Sequence, residues 1–139
     1  MGKTKPIRTY GLTHIALAVT DVERARKFYG DVFGMIAVYA DANFVQMQTP
    51  GSRDVLVFEK GPTAGKNGGG KSGGVKHFGF RLIDPADIDH AAKAIEQAGG
   101  TITDKGEFVP GEPYIFFRDP EGYEVEVWFE IPTPVDPKD

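Results

Sequence analysis

The feature that most constrains this chain is that it runs through one pattern twice. THIALAVTD spans Thr13 to Asp21, and KHFGFRLID spans Lys76 to Asp84. In each, a histidine opens a short apolar strand and an aspartate follows seven residues later, His14 to Asp21 and His77 to Asp84. Each strand then leads into an amphipathic helix. Val22, Ala25, Phe28, Tyr29, Val32 and Phe33 recur at helical spacing in the first, and Ile88, Ala91, Ala92, Ile95 and Ala98 in the second. Thr20 with Glu23 reads as a capping box and Gly34 as the stop of the first helix. Asp84 reads as the N-cap of the second, with Pro85 behind it and Gly99-Gly100 as its end. After each helix the apolar period falls to two. It does so over Ile36–Tyr39, Phe44–Gln48 and Val55–Glu59, then over Thr101–Val109, Tyr114–Phe117 and Tyr123–Phe129. DPEG, Asp119 to Gly122, suits a type I turn between the last two strands, and TPGS, Thr49 to Ser52, stands at the matching place. The order is βαβββ twice over, an α+β fold, and a duplication of this kind sets the architecture before any single motif does.

The duplication also decides a motif that points elsewhere. GKNGGGKS, Gly65 to Ser72, matches the G-x-x-x-x-G-K-[ST] of a phosphate-binding loop letter for letter. That loop needs a strand running straight into its first glycine and a helix starting at its lysine and serine. Here Lys60 to Ala64 intervene after the strand, and Gly73, Gly74 and the strand VKHFGF follow Ser72. Residues 61–74 hold seven glycines in fourteen positions, the composition of a linker. The chain therefore reads as a single domain over 1–139. Module one covers about 10–60, a glycine-rich linker 61–74, module two about 75–130 and a tail 131–139. Nucleotide binding at Lys71 is the weaker alternative.

Composition excludes several classes. A chain of 139 residues with 40% hydrophobic and 26% charged content is an ordinary globular protein. The net charge of −4 leaves no basic stripe for nucleic acid. The absence of cysteine rules out disulfides and thiolate metal sites. MGKTKPIRTYG has no signal-like apolar run, and no window is long enough to span a bilayer. The expectation is a cytoplasmic protein with no nucleic-acid or membrane partner.

Strand parity then places the polar residues, because side chains alternate between faces. Ile15, Leu17 and Val19 form the set that packs beneath the helix, so His14 points the other way with Ala16 and Ala18. Phe78, Phe80 and Leu82 pack inward in module two, leaving His77 with Gly79 and Arg81. Val125, Val127 and Phe129 face the helix, leaving Glu126 with Glu124 and Trp128. Two imidazoles and a carboxylate thus share the faces turned away from the helices, with small residues, Ala16 and Gly79, two positions beyond each histidine. A 2-His-1-carboxylate set suits divalent Fe, Mn, Zn, Ni or Co and keeps coordination positions open for substrate. The plain alternative is two structural histidines and a solvated glutamate. For a fourth ligand, Glu126 lies six residues after Pro120, and six after Pro50 is Leu56, which is apolar. Glu59 lies three further on, so this count puts it on the opposite face unless a bulge shifts the register. Three protein ligands are expected.

THIALAV, the helix DVERARKFYGDVFG, KHFGFRL and DPEGYEVEVW together resemble the vicinal oxygen chelate superfamily, over about residues 10–130. That superfamily includes glyoxalase I, fosfomycin-resistance transferases, methylmalonyl-CoA epimerase, extradiol dioxygenases and bleomycin-resistance proteins. The resemblance implies paired βαβββ modules whose mixed sheets curl into an open funnel with helices on the outer face. It implies metal ligands at His14, His77 and Glu126, and a homodimer that completes the funnel across its interface. Departures from the family patterns narrow the choice. Glyoxalase I and the epimerase use four protein ligands, and Leu56 takes the place of the fourth. Fosfomycin thiol transferases carry a threonine where Ala16 stands, and KGEFVPGEPYIFF lacks their Lys- and Ser-rich anion site. Bleomycin-resistance proteins lack the triad. Extradiol dioxygenases use three ligands, but they are usually longer and add a histidine base and a tyrosine. His90, off the apolar stripe of its helix, reads as surface, while Tyr114 and Tyr123 are candidate donors to a bound oxygen.

These readings converge on a divalent-metal enzyme that chelates two vicinal oxygens of a small-molecule substrate. Ligand count leans it toward dioxygenase-type chemistry. A glyoxalase I-like lyase or isomerase is one alternative, and a drug- or metabolite-binding protein without turnover is another. Glu126, Tyr114 and Tyr123 are the candidate catalytic groups. Arg81 is the candidate anion contact and Trp128 and Phe58 are candidate pocket walls, with solvated surface or core packing as the competing roles.

Overall fold

A computed structural model describes residues 5–61 and 75–132. GKNGGGKS and most of the linker lie outside the described residues, as does the end of the tail. Module one is built from β1 (Ile15–Val19), α1 (Val22–Phe33), β2 (Ile36–Asp41), β3 (Phe44–Gln48) and β4 (Leu56–Lys60). Module two repeats it with β5 (Phe78–Arg81), α2 (Ile88–Gln97), β6 (Thr101–Glu107), β7 (Pro113–Arg118) and β8 (Glu124–Trp128). The sheets have the same order, β1-β4-β3-β2 and β5-β8-β7-β6, with the first pair parallel in each and the others antiparallel. Even the irregularity repeats: the β2–β3 register shifts between Ala37 and Tyr39, and the β6–β7 register between Ile102 and Asp104. Neither sheet closes into a barrel, and no ladder joins one to the other among the described residues.

The helix ends follow local chemistry, with two differences from the sequence expectation. Asp21, not Thr20, caps α1, its side chain accepting from the Arg24 amide at 2.9 Å. Asp84 caps a short 3-10 turn, Pro85–Asp87, and α2 begins only at Ile88. Gly34 does close α1, at φ 67°, a left-handed conformation that a side chain would strain.

Thr20 is freed from capping because it joins the modules. Glu121, in the DPEG turn, accepts from the Thr20 amide at 2.8 Å, the Thr20 hydroxyl at 2.7 Å and the Asp21 amide at 3.3 Å. The Arg24 guanidinium closes on the same carboxylate. Asp119 accepts from the Tyr29 hydroxyl at 2.7 Å and from the amides of Glu121 and Tyr123 at 2.9 and 3.0 Å. The Tyr123 hydroxyl donates to the Ala18 carbonyl at 2.9 Å. Both acids are buried, and no buried side-chain polar atom among the described residues lacks a partner.

Beside this polar joint runs one shared core. Tyr29 of α1 packs on Phe58 of β4 with ring centroids 5.0 Å apart, and also near Phe80 of β5 at 6.2 Å. Phe33 stacks on Phe80 at 3.9 Å, and Phe28 reaches Phe117 of β7 at 6.0 Å. The first helix is thus in contact with the core faces of both sheets. Each helix packs on one face of its own sheet, and the opposite face of each sheet carries no helix among the described residues.

Candidate metal centre

The outward face of module two carries the denser set of groups. Gly79 pairs with Glu126 across the parallel β5–β8 ladder. A Cβ on Gly79 would lie 3.0 Å from the Glu126 carbonyl oxygen and 3.4 Å from Oε1, so this carboxylate lies over a position that has no side chain. Burial pushes the Glu126 carboxyl up, and the nearby His77 pulls it down. His77 stands just before β5, exposed, with the Phe116 ring edge-on at 5.2 Å. The next outward rung holds Arg81, paired with Trp128. Its guanidinium meets Glu130 Oε2 at 3.2 Å.

The outward face of module one carries His14, exposed just before β1. Its Nδ1 lies 2.9 Å from the Thr13 hydroxyl, which leaves Nε2 as the outward nitrogen. His14 also lines a cleft of about 190 Å³ with Met35, Leu56, Phe78, Phe80 and Gly79, the residue beneath Glu126, at the seam between the two sheets. Among the described residues, no three His, Asp or Glu side chains are close enough together to hold a metal ion. One chain therefore presents two part-sites: His77 with Glu126 on one sheet, and His14 on the other. The donor types and their open, outward orientation fit a divalent metal such as Fe, Mn, Zn, Ni or Co.

The register corrects the search for a fourth ligand. Ala16, two residues after His14, pairs with Val57, as Gly79, two after His77, pairs with Glu126. The repeat-equivalent of Glu126 is therefore Val57, not Leu56. Leu56 and Phe58 belong to the buried core, opposite Met47 and Val45. Gln46 and its partner Val57 are one residue further apart in the chain than Phe116 and its partner Glu126, and in a strand a one-residue slip exchanges the faces. The same slip moves Glu59, which pairs with Ala18 and shares the outward face with Val57. Val57 is apolar, and Glu59 is the acidic group two residues beyond it on the same face.

The other candidates divide. Phe58 is fully buried against Tyr29, so it is a core residue and not a pocket wall. Tyr123 is buried and its hydroxyl is held by Ala18, which places it in the inter-module joint and not in the site. Tyr114 lies on the outward face, its hydroxyl donating to Asp104 at 3.0 Å. Trp128 is half-buried on that face, two residues beyond Glu126. His90 is exposed on α2. Sequence reading missed Asp119 and Glu121 as structural acids, because two acids beside a turn proline look like solvated surface. It also missed Phe108 and Phe116, which pairing across β6, β7 and β8 brings to the Glu126 face.

Comparisons with known proteins bear on the family and the fold. An uncharacterised protein of Pseudomonas aeruginosa is 32% identical over 126 residues, covering 87% of this chain and 89% of its own. Lactoylglutathione lyase of Haemophilus influenzae is 29% identical over 123 residues, covering 83% and 89%. Among solved structures, a fosfomycin resistance protein of Listeria monocytogenes superposes with a TM-score of 0.70 at 18% identity, covering 86% of this chain and 90% of that one. It is a mutant solved with Mn(II) and 1S,2S-dihydroxypropylphosphonic acid, and the likeness is one of fold. The model of the Glyoxalase/Bleomycin resistance protein/Dioxygenase superfamily matches residues 11–127, and the chain belongs to that superfamily.

Proposed function

We propose that this protein is a divalent-metal enzyme acting on a small substrate with two adjacent oxygens. Its centre is assembled from His77 and Glu126 of one chain and His14 of a second copy. The observation that carries the reading is the Glu126 carboxylate lying over Gly79, with the His77 imidazole near enough to act on its charge. His14 faces outward from the other sheet, so a homodimer that apposes the two faces supplies the third donor. A metal so held would act as a Lewis acid on the two oxygens and stabilise the charge that develops there. The chain itself orients the donors. Thr13 pairs His14 Nδ1, Phe116 braces the His77 ring edge-on, and Gly79 leaves room for the Glu126 carboxylate. Ala16 and Gly79 keep the floor low where substrate enters.

Three protein ligands leave positions for two substrate oxygens and one further small molecule, which supports dioxygenase-type chemistry. A second reading, a lyase or isomerase, is favoured by the similarity to lactoylglutathione lyase. Metal analysis of the purified protein tests the shared premise. Bound divalent metal is expected, with loss in His77→Ala and Glu126→Gln; a preparation without metal at any purity would instead make this a binding protein. Oxygen uptake with catechol and formation of S-lactoylglutathione from glutathione and methylglyoxal then separate the two chemistries.

A further inference from the structure

A continuous run of aromatic rings leads away from His77 on the outward face of module two. His77 meets Phe116 edge-on at 5.2 Å, and Phe116 meets Tyr114 at 5.6 Å. Tyr114 stacks flat on Phe108, with centroids 4.2 Å apart and planes 16° apart, and Phe108 meets Trp128 edge-on at 6.1 Å. The Tyr114 ring lies flat because Gly106 is beneath it; a Cβ there would come within 3.0 Å of the hydroxyl. Asp104 holds that hydroxyl in place. Phe108 is nevertheless 49% exposed. Exposed, ordered rings at this density mark a surface built to be covered.

We infer that these rings, with Phe108 and Trp128 at their outer end, form a specificity wall that selects substrates bearing a planar aromatic ring beside the chelated oxygens. The inference rests on the metal-centre reading above. Trp128 is two strand residues from Glu126, about 7 Å, the reach of one ring attached to a metal-bound oxygen pair. Among the described residues, the two arginines on this face are already engaged. Arg81 is held by Glu130, and Arg118 donates to the Gly122 carbonyl at 3.0 Å. An uncharged ring therefore suits the wall better than a phosphonate or other anionic tail.

Trp128 is the chain's single tryptophan, so its emission reports on the wall directly. Metal-loaded protein is titrated by calorimetry with catechol, a ring with the vicinal oxygen pair, and with propylene glycol, the pair without a ring. Phenol, a ring without the pair, is titrated against Trp128 emission with and without metal. Catechol is expected to bind more tightly than propylene glycol, but its more acidic hydroxyls favour the metal by themselves, so the ring contact is read from its loss on substitution, about tenfold for one good contact. Phe108→Ala is expected to weaken catechol and phenol binding by a similar factor, with metal content and sedimentation unchanged. Tyr114→Phe keeps the ring and is expected to bind both normally. Equal binding of the two diols, or unchanged catechol and phenol affinity in a folded Phe108→Ala protein, would overturn the wall. Dissociation of a dimer by Phe108→Ala would also overturn it, since the rings would then be a subunit contact. Failure of the metal centre shows separately, as absent metal, and the phenol titration still decides the wall.

Discussion

Glu121 is a single carboxylate on which two backbone amides, a hydroxyl and a guanidinium depend. Its side chain is 2% exposed while Arg24 is 45% exposed, so the pair is half in water and the backbone bonds matter more than the ion pair. Burial raises the Glu121 carboxyl, but the Thr20 amide and hydroxyl and Arg24 outweigh it, leaving the group below its ordinary range. A depressed folded-state value means that the unfolded chain takes up a proton first. The stabilisation is therefore present above the ordinary value of 4.5 and is lost as pH falls through the folded one. Asp119 works in the opposite sense. Burial holds it above its ordinary range despite bonds from Tyr29, Tyr123 and Glu121, so it favours the folded state more as pH falls. Glu121→Gln is expected to cost about 2 kcal/mol at neutral pH, because one amide hydrogen pair then faces Arg24. Urea melts of the two proteins should converge below pH 4.5. A gap that stayed constant with pH would show that the Glu121 charge contributes nothing.

At the scale of elements, pairing decides which face a residue serves. Counting forward from the turn proline put Leu56 opposite Glu126, whereas the ladder puts Val57 there. The count failed because one extra residue sits before β4, and the period-two rule turns one residue into a change of face. Gly79 shows how tightly the β5–β8 pair is set. Its Cβ would approach the Glu126 carbonyl to 3.0 Å and Glu126 Cβ to 3.3 Å, and the first of these is backbone that cannot rotate away. Gly79→Ala is expected to destabilise the protein by about 1–3 kcal/mol, the usual cost of overpacking, and to weaken metal retention by pushing Glu126 aside. Thermal melting with metal analysis checks this; normal melting and normal metal would mean that Glu126 is not held by this contact.

At the scale of the molecule, His14 and the His77–Glu126 pair belong to different sheets, and among the described residues no three such groups are close enough to hold a metal ion. Subunit complementation tests the consequence. His14→Ala and His77→Ala proteins are each expected to lose metal. Co-expressed, they should form a mixed dimer in which one of the two sites regains an intact His14, His77 and Glu126. Recovery of metal in the mixed dimer would place the site between chains. No recovery, from a mixed dimer shown to form, would place all three ligands in one chain and contradict the proposed assembly.

The duplicated pattern was enough to reveal both βαβββ modules, their helix and strand order, and the outward set of His14, His77, Glu126 and Trp128. Those depend on period and local turn chemistry, which are written in consecutive residues. Other features depend on contacts about a hundred residues apart in the chain. Glu121 and Asp119 became structural acids only when the DPEG turn met the start of α1, Phe58 left the site only when Tyr29 of α1 packed on it, and Tyr123 only when its hydroxyl met the Ala18 carbonyl of β1. Local sequence states which side of a strand is apolar; tertiary packing alone decides what covers the apolar side and what the polar side is left to meet.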